Sequence, residues 1–139
     1  DEAAVLNLVN VLFDGIPKNE WLSTVLIGHN VAGFDLRFLV QRYIINGIRP
    51  HSIISRAAEA RAWEIDKVFD TMVQWNPDRQ NRVSLDKLCA ALGMPGKNCG
   101  TWEDVLPNAL SGNWDAISAY CRNDVDITRA CYKRMTFSV

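Results

Sequence analysis

The stretch Val25-Leu26-Ile27-Gly28-His29-Asn30-Val31-Ala32-Gly33-Phe34-Asp35 decides the fold class. Its apolar start is too short for a helix and suits a buried strand of a parallel sheet. Gly28, His29 and Asn30 open that strand into a loop, and the loop ends on the carboxylate of Asp35. In α/β proteins the C-terminal edge of a parallel strand is where ligands and catalytic groups collect. A second apolar run, Val68-Phe69-Asp70-Thr71-Met72, reads as another buried strand.

Helical spacing surrounds these runs. Val5, Leu8, Val9, Leu12 and Phe13 predict a helix over residues 3–13, stopped by Gly15-Ile16-Pro17. Asp35 can start the next helix, whose apolar face is Leu36, Leu39, Val40 and Tyr43 and which ends at Asn46-Gly47. Ile48-Arg49-Pro50 breaks the chain again; Ile53-Ile54 reads as a short strand or a buried turn, and residues 56–61 are ambiguous. Asn76-Pro77-Asp78 and Asn81 mark a loop. Ser84 precedes a helix over 85–92 that Gly93 closes. Pro95-Gly96-Lys97-Asn98-Cys99-Gly100 is the most loop-like stretch, followed by one helix over 102–110 and a longer one from Trp114 to about Met135. Strands alternating with helices predict α/β layers, although two strands are few beside the usual five or six of a sheet.

The chain has 139 residues, 48% hydrophobic and 22% charged, which is the composition of a globular domain with a sizeable core. Its net charge of −1 gives no sign of a bulk electrostatic attraction to nucleic acid, though an enzyme gripping a strand end needs only a local basic lining. No apolar run approaches the ~20 residues that cross a bilayer, and Asp1-Glu2-Ala3-Ala4 is no signal-peptide start. A soluble, cytoplasmic protein without a membrane partner is the expectation. Cys89, Cys99, Cys121 and Cys131 form no C-x-x-C pair, and His29 and His51 add no zinc spacing, so the thiols read as reduced and mostly packed.

The other segment with chemistry in it is Tyr120-Cys121-Arg122-Asn123-Asp124. Four residues apart on a helix, Tyr120 and Asp124 share one face, where a phenol and a carboxylate together can hold a metal ion and its water. Asn30-x-x-x-Phe34-Asp35 and Tyr120-x-x-x-Asp124 resemble the second and third motifs of the DnaQ-like, four-carboxylate 3′–5′ exonuclease superfamily, the latter in its tyrosine variant. A histidine variant would place its histidine where Ala119 stands. Asp70-Thr71, and the run from Ser84 through Gly93-Met94-Pro95-Gly96-Lys97, also resemble that superfamily. The likeness covers about residues 25–135 and is nearest to the predicted exonucleases akin to the proofreading domain of family B DNA polymerases.

That resemblance implies an RNase H-like α/β exonuclease fold forming a single domain over 1–139. It implies two divalent ions, Mg²⁺ or Mn²⁺, and hydrolysis of phosphodiester bonds at the 3′ end of single-stranded DNA with release of nucleoside monophosphates. Asp35 and Asp124 are the implied metal ligands, Tyr120 the residue that orients the attacking water, and Asn30 and Phe34 the substrate-shaping pair. The superfamily's first motif, an Asp-x-Glu on the first strand, has no counterpart before Val25, so the domain is expected to be incomplete at its N-terminal edge. The rival expectations are a catalytically degenerate or truncated module that binds nucleic acid or protein, and a structural α/β protein. An open sheet edge invites pairing, which puts a second copy of the chain among the expected partners.

Each singled-out residue also has a plainer reading. Asp35 can cap the following helix, and Tyr120 and Asp124 can be an exposed helical pair. His29 reads as a hydrogen-bonded structural histidine, and Asp126 as solvated. Lys97 reads as a solvated loop lysine, although it could contact phosphate. Arg37, Arg42 and Arg122 read as surface charge, and Trp21, Trp63, Trp75, Trp102 and Trp114 as core or subunit contacts.

Overall fold

A computed structural model describes residues 1–76 and 82–138 and divides the chain into two compact units, Asp1–Val73 and Gln74–Val139. Pro77, Asp78 and Asn81, read above as loop residues, lie outside the described residues.

In the first unit, helix α1 (Glu2–Asp14) begins at Asp1, whose side chain accepts the Ala4 N–H at 2.8 Å. Strand β1 (Leu26–Gly28) leads through one π-helical turn, Val31–Asp35, directly into α2 (Leu36–Ile45). Helix α3 (Ser52–Ala58) precedes strand β2 (Val68–Asp70), which continues into α4 (Thr71–Trp75). The two strands are parallel, with Leu26 opposite Val68, Ile27 opposite Phe69 and Gly28 opposite Asp70. That register is what sets the loop after β1 against the end of β2.

Leu6, Leu36, Tyr43, Ile54, Ala57 and Val68 form the core of this unit. Fully burying a side chain of leucine or isoleucine size contributes about 1.5–3 kcal/mol. Tyr43 also carries a hydroxyl into the core, and its hydrogen is shared between the Leu6 carbonyl and Asn10 Oδ1, each at 2.9 Å. Asn10 Oδ1 accepts the His51 N–H at 2.8 Å as well, and Asn10 Nδ2 donates to the Arg49 carbonyl at 2.9 Å. One asparagine thus ties α1 to the chain entering α3.

The structure corrects three readings of this half. Ile53 and Ile54 lie in α3 rather than in a strand or turn, because the His51 ring accepts the Ile53 N–H at 3.2 Å and starts a helix after Pro50. Thr71 and Met72 leave the second strand, because Asp70 Oδ1 accepts the N–H groups of Met72 (3.1 Å) and Val73 (3.4 Å) and so starts α4. β2 is buried throughout, but β1 is not: Ile27 is 41% exposed.

The second unit is helical. Ser84 accepts the Lys87 N–H and starts α5 (Leu85–Ala91). A 3₁₀ turn, Trp102–Asp104, and α6 (Val105–Leu110) replace the single helix expected over 102–110. Pro107 has no N–H and is accommodated only in a helix's first turn, so α6 has to start just before it. Helix α7 (Trp114–Met135) starts where Asn113 accepts the Ala116 N–H at 3.4 Å, and Lys133 and Arg134 complement its C-terminal dipole. Leu85, Leu88 and Cys89 of α5 pack with Ile127 and Cys131 of α7. Among the described residues no helix is long and apolar enough to cross a membrane.

Of the four cysteines, Cys89 and Cys131 are buried, whereas Cys99 is half-buried and Cys121 exposed. Of the two roles expected of the tryptophans, core or subunit contact, exposure rules out the core for four of them. Trp21 sits edge-on to His51 and donates its ring N–H to the Ile16 carbonyl, while Trp63, Trp75, Trp102 and Trp114 are exposed.

Candidate active site

The loop between β1 and α2 is folded around Asp70. The Asn30 and Ala32 N–H groups donate to its two carboxylate oxygens at 2.9 and 3.0 Å, and Met72 and Val73 donate to Oδ1 from the other side. A carboxylate that is almost wholly buried needs such donors, and this one takes four from the backbone. Asn30 adopts a left-handed conformation (φ 60°, ψ 20°), which an asparagine tolerates better than most residues, and its carbonyl accepts the Phe34 N–H at 3.0 Å. Two glycines allow the tight approach. A Cβ on Gly28 would stand 2.4 Å from Val31 Cβ, and one on Gly33 would stand 2.6 Å from Asn30 Oδ1. His29 Nδ1 meets Thr71 Oγ1 at 2.9 Å, the structural role expected of it.

Asp35 closes the loop. It is helical itself (φ −62°, ψ −48°), its side chain makes no capping bond, and the helix is already under way from Val31. The capping reading of Asp35 therefore does not hold. Asp35 lies at the surface, yet partial desolvation of its carboxyl raises its pKa. Its own backbone N–H opposes that shift, and the charge of Asp70 adds to it. A cation placed there would relieve both causes. Phe34, one residue earlier, is 61% exposed and lies parallel to Phe38 (interplanar angle 9°, centroids 6.2 Å apart).

In the second unit Tyr120 and Asp124 lie on one face of α7, and the structure adds a residue that the sequence reading left in solvent. Lys97 Nζ donates to Asp124 Oδ2 at 3.0 Å and to the Tyr120 hydroxyl at 3.2 Å, and it stands 5.0 Å from the centre of the Tyr120 ring. The expectation of a solvated Lys97 is overturned, and so is that of an exposed Tyr120–Asp124 pair, both of which are partly buried. The lysine is aimed by its backbone: its own N–H donates to Asp86 Oδ1 at 2.9 Å, and the Asn98 N–H donates to Asn123 Oδ1 at 3.2 Å. Gly96 permits the approach, since a Cβ there would stand 2.8 Å from Asp86 Oδ1. Desolvation works against the Lys97 ammonium, but its hydrogen bonds to Asp124 and Tyr120 outweigh that and raise its pKa. Asp124 Oδ1, although 3.0 Å from the ammonium, is buried with no hydrogen-bond partner among the described residues.

The five expected site residues thus fall into two sets. Asn30, Phe34 and Asp35 share one loop of the first unit, and Tyr120 and Asp124 share one helix face of the second. Asp126, read as solvated, pairs with Arg129 at the surface, and Arg42 is bound by Glu2. Among the described residues no group of three or more histidine, cysteine, aspartate or glutamate side chains could hold a metal ion. In kind, however, the donors suit a hard divalent ion: Asp35 is a carboxylate raised chiefly by desolvation and further by the charge of Asp70, and Asp124 Oδ1 is buried without a hydrogen-bond donor among the described residues.

A family model described as "Predicted 3'-5' exonuclease related to the exonuclease domain of PolB" matches residues 2–138. The chain belongs to that family. No curated protein and no solved structure matches it.

Proposed function

We propose that this chain is a metal-dependent 3′–5′ exonuclease domain of RNase H-like architecture that shortens single-stranded DNA from its 3′ end and releases nucleoside monophosphates. The observation that carries the reading is the family match over residues 2–138. The mixed helical and parallel-strand architecture is compatible with it.

Asp35 and Asp124 are the residues that would hold the divalent ions, Mg²⁺ or Mn²⁺. When bound, such ions activate water and stabilise the oxygen that leaves in an in-line displacement. The rest of the work belongs to the chain's own groups. Because Lys97 donates to the Tyr120 oxygen, the phenolic hydrogen is left free to donate, so Tyr120 can orient a water or a phosphate oxygen. Asp124, held on the same face one turn later, accepts from that shared lysine and fixes the phenol's neighbour. The parallel pair Phe34 and Phe38 offers an exposed apolar platform on which a terminal base can stack. Asn30, bent into the left-handed region, sets the height of that platform by holding Phe34 through its carbonyl. DNA is preferred to RNA by the family relationship, since no residue is assigned to a 2′-hydroxyl.

The test is digestion of a 5′-labelled single-stranded DNA oligonucleotide with Mn²⁺ or Mg²⁺, beside Asp35→Ala and Asp124→Ala. The expected result is a ladder shortening from the 3′ end that is absent in both variants. No shortening with either metal, or equal shortening by the variants, overturns the reading. An RNA of the same sequence degraded at the same rate overturns the choice of DNA.

A further inference from the structure

The Lys97 contact bears directly on how a metal ion reaches Asp124. The ammonium lies 3.0 Å from both oxygens of Asp124 and 3.2 Å from the phenol beside it. A cation is therefore already in place. It is held there by design of the loop and not by chance, because Lys97 and Asn98 are each anchored through their backbone N–H to side chains of α5 and α7. An ammonium and a divalent ion on one carboxylate repel each other strongly at partial burial, so the two cannot share it at full strength.

We propose that Lys97 is the resident cation of the Asp124–Tyr120 pair, which a divalent ion must displace from Asp124, leaving the ammonium beside Tyr120 as a partner for a substrate phosphate. The inference rests on the exonuclease reading for its metal and its phosphate. It makes Lys97 a positioning residue with two alternating partners, and no bond is made or broken at it. While the metal is absent, Lys97 keeps Asp124 from standing as an uncompensated charge in a partly buried place. Once the metal is bound, the same side chain, still tethered at its backbone, has lost its counter-ion and faces the anion that the reaction requires.

The experiment is a Mn²⁺ titration of the whole chain, read by the electron paramagnetic resonance signal of the free ion, for the unaltered protein, Lys97→Met, Lys97→Arg, Asp124→Asn and Lys97→Met/Asp124→Asn. Lys97→Met is expected to bind Mn²⁺ about tenfold more tightly, from loss of one competing charge. Lys97→Arg is expected to stay near the unaltered affinity, and the gain is expected to vanish when Asp124 is also changed. Circular dichroism melts establish that each variant is folded, and Lys97→Arg keeps the comparison available should Lys97→Met not fold: it then has to bind no tighter than the unaltered protein, while Asp124→Asn binds more weakly. Unchanged or weaker Mn²⁺ binding by folded Lys97→Met, a gain that persists with Asp124→Asn, or no Mn²⁺ binding by any variant overturns the proposal. A second readout is the affinity of a phosphorothioate-protected single-stranded oligonucleotide in Ca²⁺. There the salt dependence is expected to lose about one phosphate contact's slope in Lys97→Met; an unchanged slope overturns the phosphate half. These binding measurements need no turnover. Competition at Asp124 without nuclease activity would therefore sink the function and leave the competition standing.

Discussion

Two aspartates of the first unit have opposite duties. Asp70 takes four backbone N–H groups into its carboxylate and is buried, whereas Asp35 caps nothing and faces outward. Asp70→Ala leaves those donors without an acceptor, and each orphaned donor costs about 1–3 kcal/mol where it is buried. We expect Asp70→Ala to lower stability by about 3 kcal/mol or more in urea denaturation, and Asp35→Ala to change it by less than about 0.5 kcal/mol, as for a surface substitution. A comparable loss in both would show that Asp35 is structural. Phe34 belongs at this scale too. Removing the exposed ring by Phe34→Ala should weaken binding of a short single strand by about 1–3 kcal/mol, the usual worth of one base stacked on an aromatic side chain. Fluorescence anisotropy with a labelled oligonucleotide checks it, and an unchanged affinity would remove Phe34 from the substrate path.

At the scale of elements, α1 and α2 are stapled at the surface. Arg42 grips both oxygens of Glu2 at 2.6 Å, and Asn46 adds a third bond at 3.0 Å. The Arg42 hydrogen bond, then that from Asn46, holds the Glu2 carboxyl down to about 2. A carboxyl depressed in the folded state stabilises it above the unfolded value, near 4.5, and that contribution disappears as the pH falls toward 2. Glu2→Gln should therefore melt below the unaltered protein at pH 7 and together with it near pH 2, with the gap narrowing in high salt. A gap independent of pH would mean that packing, and not charge, joins the two helices. α5 and α7 are joined instead by buried sulfur: Cys89 and Cys131 Sγ lie 3.7 Å apart, and burial, with Cys89 beside it, pushes the Cys131 thiol up to about 12. An alkylating reagent at pH 8 should label Cys121 in the folded protein and Cys131 only on unfolding, as mass spectrometry of the peptides would show.

The elements also show what a reader of the sequence could see. Helical spacing placed α1, α2, α5 and α7 to within a residue or two at their ends, because α1, α5 and α7 each join an apolar stripe to a capping side chain, while α2 is announced by its stripe and by Asn46-Gly47 after it. Ile53-Ile54 read as a short strand or a buried turn, because two β-branched residues do not announce a helix without the His51 side chain that caps it. The pairing of Tyr120 with Asp124 was legible from a spacing of four residues. Lys97 was not, because its role depends on Asp86 and Asn123 fixing its backbone from positions distant in sequence. Asp70 stood in view within the second apolar run, but nothing local says that the strand ends there or that the N–H groups of Asn30 and Ala32 will come to it; the parallel register of Gly28 with Asp70 does.

On the scale of the molecule, each unit has its own core, the first built around Leu6, Leu36, Tyr43 and Ile54, the second around Leu88, Cys89, Ile127 and Cys131. Leu88 is fully buried, so Leu88→Ala should cost about 2–5 kcal/mol. If the cores are energetically separate, amide exchange in that variant quickens in α5 and α7 while α2 and α3 keep their protection. Equal loss of protection in all four helices would show that both units unfold as one.

The grip of Asp70 on the loop between β1 and α2 is made through main-chain N–H groups, those of Asn30 and Ala32. A clamp of that kind cannot tell one side chain from another, so it places no constraint on what residues 32 and 34 carry outward. The loop can be rewritten at those two positions without being refolded, which makes it the natural place to retune which strand end the protein accepts.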